Sequence, residues 1–450
     1  MFSQGCPAGG SPAVMPAAPD PAQVAGAADR YMALREFRAR LYGCLTARPD
    51  ALFELCDAIL CADHAVTSLV QLSLVPEFTR GHGALYDALA AGGIDEEAFA
   101  ALLTATLPPL ADGEQGRAWI AEHDTIDYGL LEAALAGLPD EQAAQVREAC
   151  ARWSRLRFAV DATPYPRPDA ECSPEREHVH HDACRCDGVR ETIPGWEYQF
   201  LAAAGHLRTA WTALIDAGRT TKAARTNQTA RQVRNLLRRL RAAGHDSGGA
   251  PLVILDAGYS AAALTAALAG QPVHLLVRLP ATSVFYGDPV TWPGKRGRPC
   301  RHGIPVTCHN DELWRAYLAR FDEEHTFRFL KGSLGLTAAK VRTPGQADRW
   351  VRLVMAAYAQ LLIARTGTAD LRRPWEKLPD PGRPLTPGRV RRGFPNIRRH
   401  IGTPAHVAKP GRPGPGRPKG TTRGPAPRYP IPKKSRIKNK QDGTAETVTG

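Results

Sequence analysis

LVILDAGY (252–259) is the stretch that decides the fold. Leu252, Val253, Ile254 and Leu255 are consecutive apolar residues without polar alternation, the pattern of a short buried strand. They stop at a carboxylate, Asp256. A small residue and Gly258 follow, and then SAAALTAALAG (260–270) reads as a helix. A strand that delivers a carboxylate to a sheet edge, just before a turn into a helix, is how α/β proteins place catalytic acids.

Working outward, LRFAVD (156–161) is a second short apolar run ending in a carboxylate, Asp161. After it come a polar, proline-rich connection and then HVHH and WEYQFLAAAG, which suit two further strands. Residues 222–243 read as a helix with an apolar stripe of Val233, Leu236, Leu237 and Leu240. Arg231, Arg234, Arg238, Arg239 and Arg241 fall mostly off that stripe, and Gly244 stands where a C-terminal cap belongs. PVHLLVRL (272–279) supplies one more strand. The order β-β-β-α-β-α-β, with carboxylates ending the first and fourth strands, predicts an α/β protein with an RNase H-like core, a mixed sheet flanked by helices. Residues 280–310 read as a loop or small hairpin, and a helix near 345–365 is expected to cover the sheet.

A third carboxylate is sought on the helix expected over 311–332, which offers Asp311, Glu312, Asp322, Glu323 and Glu324. At about 100° per residue, with Tyr317 taken as zero, Arg320 falls near about −60°, Glu324 near about −20° and Lys331 near about −40°. Glu323 and Asp322 fall on other faces, so Glu324 is the candidate, flanked by a cation and a phenol able to meet phosphate. An ordinary salt-bridged helix face has the same composition. Three carboxylates suit two divalent ions about 4 Å apart, which activate the attacking oxygen and stabilise the leaving one in phosphoryl transfer. Mg²⁺ takes hard oxygen ligands of this kind.

The spacing Tyr317-x2-Arg320-x3-Glu324-x6-Lys331 resembles the Tyr-Arg-Glu-Lys signature of bacterial insertion-sequence transposases of the DDE type. DAGY at 256 resembles their second-Asp motif, and AVDATPYPRPDA at 159 their first-Asp motif. The resemblance covers about 155–340. It implies an RNase H-like catalytic core, Asp161, Asp256 and Glu324 as a metal-binding catalytic triad with two Mg²⁺ or Mn²⁺ ions, and cut-and-paste DNA transfer. By the same likeness Tyr317, Arg320 and Lys331 would contact DNA or phosphate. Double-stranded DNA, as transposon end and target, would be the partner, met by a homodimer.

Charge is unevenly spread along the 450 residues. The total is +13, yet residues 371–440 hold 20 Lys and Arg against Glu376 and Asp380, so the remainder nets −5. That segment also carries 15 of the 38 prolines. It reads as a largely disordered basic tail suited to polyanions. RGRPCRHG (296–303) and KPGRPGPGRPKG (409–420) contain the Gly-Arg-Pro core of peptides that enter narrow minor grooves. Generic phosphate binding by Arg296, Arg298, Arg412, Arg417 and Lys419 is the broader expectation. The expected organisation is a disordered lead-in (1–29), an all-α domain (30–152) for packing or DNA-end binding, the catalytic domain (153–368) and the tail (369–450). No run of about 18 apolar residues exists, so no membrane span is expected. Ten scattered cysteines favour a reducing cytoplasm over a disulfide framework, and the resemblance implies a bacterial, nucleoid-associated setting.

Other signals compete. Cys172, His178, His180, His181, Cys184 and Cys186 offer zinc ligands in a spacing that fits no standard site. Gly258-Tyr259-Ser260 superficially resembles a nucleophile elbow, but the second small position is Ala and no oxyanion-hole motif appears. A catalytically silent DNA-binding relative, or a non-transposing nuclease of the same fold, would share most of these features.

Overall fold

The computed structural model describes residues 31–107, 156–180, 192–204, 211–245, 250–279, 311–378, 385–409 and 424–431, with short pieces at 139, 285–286, 305–306 and 420. Residues 31–107 build helices α1 (Met32–Gly43), α2 (Pro49–Cys61), α3 (His82–Ala91) and α4 (Glu96–Ala105). Strands β1 (Leu45–Ala47) and β2 (Gly93–Ile94) pair antiparallel between them. α4 starts as its sequence dictates. Asp95 caps it by accepting from the Ala98 amide at 3.0 Å, and Glu96 and Glu97 meet the positive end of the helix dipole.

The sheet contains β3 (Arg157–Pro166), β4 (Glu177–His180), β5 (Thr192–Ala204), β6 (Ala213–Thr220), β7 (Leu252–Leu255) and β8 (His274–Val277). Its order is β4-β5-β3-β7-β8, with β6 also paired to the long β5. β5 runs antiparallel to β3, β4 and β6, whereas β7 is parallel to β3, and β8 to β7. The sheet is mixed, as expected, but β6 is a strand that the expected order β-β-β-α-β-α-β lacks. Helices α5 (Arg225–Ala242) and α6 (Ala261–Ala267) cover one face, packing Val233, Leu236 and Leu264 onto Phe158, Val160, Val253 and Leu255. A short pair, β9 (Phe285–Tyr286) with β10 (Pro305–Val306), lies in the expected loop region.

The other face carries α7 (Asp311–Ala319), α8 (Phe321–Gly332), α9 (Pro344–Ala364) and α10 (Pro387–Ile401). Thr343 and Gln346 close a reciprocal capping box at the start of α9, and Pro344 fits its first turn. α9 is buried around most of its circumference, as a helix wrapped by other layers must be. It packs on β6 and also on α1, α2, α3 and α10.

Three expectations change here. The helix expected over 311–332 is interrupted at Arg320. The Arg320 amide donates to Tyr317 O at 3.2 Å and the Glu323 amide to Arg320 O at 3.0 Å, a tight i to i+3 turn. Asp322, Glu323 and Glu324 then fill the first turn of α8, where acids favour a fresh helix start. Second, the described part of the expected all-α domain, residues 31–107, contains the β1–β2 pair and does not form a separate core. Leu34, Phe53 and Leu60 belong to one apolar cluster with Tyr198 and Phe200 of the sheet and Trp350 of α9.

Third, the basic tail is ordered over much of its first half. Val390, Phe394 and Ile397 of α10 are all but inaccessible and join that same cluster. Arg398 Nε donates to Asp57 at 2.7 Å, beside the Arg38 guanidinium that donates to both Asp57 oxygens at 2.6 and 3.0 Å. Arg38 also donates to Gly402 O, and the His406 amide to Asp50 at 2.9 Å. Further on, the Tyr429 amide donates to Glu171 O at 2.8 Å and Arg176 to Tyr429 O at 3.0 Å. The lead-in 1–29 lies outside the described residues. No described helix is long and apolar enough to cross a membrane.

Candidate functional site

Parallel pairing of β3 with β7 sets Val160 opposite Leu255. One residue further along stand Asp161, inside β3, which runs on to Pro166, and Asp256, directly after β7, so the two carboxylates lie side by side just past the last β3–β7 pairing, roughly 4.8 Å apart at the backbone. Ile254, two residues before Asp256 and therefore on its face, packs on Ala316 and Tyr317 of α7. Both acids thus turn toward the layer of α7 and α8.

Each carboxylate is anchored. Asp256 Oδ1 accepts from the Gly258 amide at 2.9 Å. A Cβ at Gly258 would stand 3.0 Å from that oxygen and 3.1 Å from an Arg225 nitrogen, which is why the turn uses glycine. Arg225 ties the turn to the sheet, donating to Glu197 at 2.6 Å and to Gly258 O at 3.4 Å. The buried Tyr259 hydroxyl donates to Gln199, itself bonded to Thr229 and Gln232 of α5. Ser260 caps α6 by accepting from the Ala263 amide, so its hydroxyl has a structural task and no nucleophile elbow forms.

Asp161 accepts from the Ala162 amide at 2.8 Å through Oδ1 and from Arg320 Nη1 at 2.8 Å through Oδ2. Burial raises its carboxyl to about 6, with Arg320 opposing and Asp256 and Glu324 adding to the rise. The Arg320 guanidinium is buried and lies 5.5 and 5.4 Å from the ring centres of Tyr317 and Phe321. It is turned inward, to Asp161, in this state.

The break at Arg320 redistributes the face drawn for a straight helix. Tyr317 and Arg320 are buried, Glu324 is exposed, and Lys331 is half-buried two turns beyond it. Glu324 remains within electrostatic reach of Asp161. Its neighbour Glu323, which the straight-helix projection sets on another face, is the residue that sequence reasoning missed. It shares the inward stripe of α8 with Thr326, Phe327 and Leu330, is 1% exposed, and neither carboxylate oxygen has a hydrogen-bond partner. Burial pushes its carboxyl well above the usual range, and Asp161 adds to the rise. The spacing 323-326-327-330 was the available signal. Trp314, 58% exposed, stacks on Tyr317 with ring centres 6.0 Å apart and is a second residue that the sequence pattern did not single out.

Carboxylate oxygens form a hard donor set that suits Mg²⁺ or Mn²⁺. Among the described residues no three His, Cys, Asp or Glu side chains stand close enough to share one ion. The positive charge beside Asp161 is supplied by Arg320. Cys172, His178 and His180 form no ligand group among the described residues, while His181, Cys184 and Cys186 lie outside them. Arg296, Arg298, Arg412, Arg417 and Lys419 also lie outside the described residues.

A mixed sheet flanked by helices, with two carboxylates side by side where parallel strands β3 and β7 stop pairing, is an α/β arrangement consistent with a DDE nuclease fold. The chain belongs to the DDE superfamily endonuclease family, whose model matches residues 40–127 and 118–328. Among solved structures, the cryo-EM structure of a piggyBac transposase synaptic complex with hairpin DNA is similar at 10% identity and a TM-score of 0.37. That match covers 80% of this chain and 74% of the other. Among curated proteins none matches.

Proposed function

We propose that the chain is a DDE transposase, cleaving DNA at the ends of an insertion sequence and joining the freed 3′ hydroxyls to target DNA in cut-and-paste transfer. The observation that carries this reading is the side-by-side placement of Asp161 and Asp256 just past the last pairing of parallel strands β3 and β7, with Glu324 in electrostatic reach. Membership in an endonuclease family supports it. In this reading Asp161, Asp256 and Glu324 hold two Mg²⁺ or Mn²⁺ ions, which when bound activate the attacking oxygen and stabilise the leaving one. The chain's own residues do the positioning. The Gly258 turn fixes Asp256, and the tight turn at Arg320 starts α8, which carries Glu324 in its first turn. Tyr317 and Lys331 serve phosphate, with the basic residues of 296–298 and 412–419 gripping double-stranded DNA as a homodimer. A cytoplasmic, nucleoid-associated setting belongs to the same reading.

The test is strand cleavage and joining on DNA carrying the flanking terminal sequences, with Mg²⁺. Alanine at Asp161, Asp256 or Glu324 should lower cleavage by about 10³-fold or more while leaving DNA binding intact. Full activity of Asp256→Ala would sink the proposal. A second reading, a catalytically silent DNA-binding relative, draws on the Arg320–Asp161 ion pair. DNA binding without cleavage by the purified wild-type chain would favour it. Cleavage without joining would favour a non-transposing nuclease.

A further inference from the structure

We propose that Glu323 is a positioning residue: it is the alternative acceptor for Arg320, receiving the guanidinium when a divalent ion takes Asp161. The inference rests on the metal-site reading given above. Three observations around one turn carry it. Arg320 Nη1 holds Asp161 Oδ2 at 2.8 Å, so the guanidinium occupies the place where a cation would neutralise that carboxylate. Arg320 Nε is buried without a hydrogen-bond partner. Both oxygens of Glu323 are buried without a partner, three residues further along the same turn and in the field of Arg320 and Asp161.

Residues three apart on a helical turn are neighbours. A change of side-chain torsions in Arg320 therefore brings its fork to Glu323 with little backbone movement. Before the exchange, one donor and two acceptor oxygens are buried unsatisfied, each a costly condition. After it they satisfy one another, and Asp161 is released with its lone pairs free for an ion. A buried arginine with no second carboxylate would resist leaving Asp161, because an unpaired buried charge is strongly unfavourable. Glu323 removes that obstacle. It gives the guanidinium a carboxylate partner in both states, Asp161 before metal entry and Glu323 afterwards. The idea also accounts for a glutamate standing in line with Thr326, Phe327 and Leu330 on the inward face of α8, where an apolar residue would pack without cost.

Isothermal titration of the full-length chain with Mn²⁺ tests the exchange without reference to catalysis. Glu323→Gln removes the counter-charge and keeps the shape, so Arg320 stays on Asp161. Mn²⁺ affinity should fall at least tenfold. Arg320→Ala removes the competitor, and affinity should rise at least threefold. The double variant should bind as Arg320→Ala does, because Glu323 has no task once the guanidinium is gone. A double variant as weak as Glu323→Gln would make Glu323 a direct metal ligand and overturn the proposal. Wild-type affinity in Glu323→Gln would overturn it too. If Glu323→Gln does not fold, unchanged affinity in Arg320→Ala alone does the same. Asp256→Asn separates this inference from its foundation. Wild-type Mn²⁺ binding in that variant removes the metal-site reading itself, whereas abolished binding there beside an unaffected Glu323→Gln removes only the exchange.

Discussion

At the scale of single residues, the informative feature is a carboxylate whose proton is held too tightly. Asp161 is raised to about 6 by burial, against Arg320. An ordinary aspartate in the unfolded chain titrates near about 3.9. The folded metal-free state therefore binds this proton more strongly than the unfolded state does. Its contribution favours folding at low pH, declines as pH rises from about 4, and levels off above about 6. The difference between the two proton affinities corresponds to roughly 3 kcal/mol across that window. Asp161→Asn has no such proton. The urea midpoint of Asp161→Asn relative to wild type, measured without metal, should thus increase between pH 4 and pH 6 and stay flat above. A pH-independent difference would mean that Asp161 is solvated like an ordinary surface acid. The same residue shows what sequence could give. An apolar run ending in a carboxylate is legible as a string, and both Asp161 and Asp256 follow from it. The guanidinium that Asp161 faces comes from 159 residues away and is fixed only by packing.

At the scale of elements, the legible and the illegible separate by cause. The strands β3, β5, β7 and β8 were readable because apolar runs bounded by turns admit few alternatives. The break between α7 and α8 was not, since no Pro or Gly marks it, and a straight-helix projection placed Glu323 away from the site. α10 failed for another reason. PGRVRRGFPNIRRHI is rich in Pro, Gly and Arg, and its composition argues for disorder, yet Val390, Phe394, Ile397 and Ile401 recur at helical spacing. Pattern outweighed composition because α2 and α9 offer an apolar surface to cover. Phe394 has no accessible surface. Its replacement by alanine should cost about 3–5 kcal/mol, read as a lower denaturation midpoint and early proteolytic cleavage near 385–401. Unchanged stability would mean that α10 is not docked in solution. A matched surface control, Arg399→Ala, should shift stability by less than about 0.5 kcal/mol.

At the scale of the whole molecule, the basic C-terminal region divides into two parts with different tasks. Residues 385–409 are structural. They supply α10, the Arg398–Asp57 ion pair and the Gly402 and His406 hydrogen bonds that seal α1 and α2. Asp57 is fully buried between Arg38 and Arg398, so removing one arginine leaves a partly uncompensated interior charge. Residues 410–450 still carry ten Lys and Arg, and touch the described body through Arg428 and Tyr429 near Glu171 and Arg176. Two truncations should therefore behave oppositely. Ending the chain at 409 should leave the melting temperature within a few degrees of wild type, while DNA affinity at low salt falls. The slope of log affinity against log salt should flatten by about 0.9 for each phosphate that is no longer neutralised. Ending it at 385 should instead lower the melting temperature sharply, because Phe394 and the Asp57 network go together. If both truncations weaken only DNA binding, the helical layer is self-sufficient and the docking of α10 contributes nothing to folding. If the 409 truncation binds DNA with an unchanged salt slope, the far tail is a bystander and the polyanion grip lies on the body.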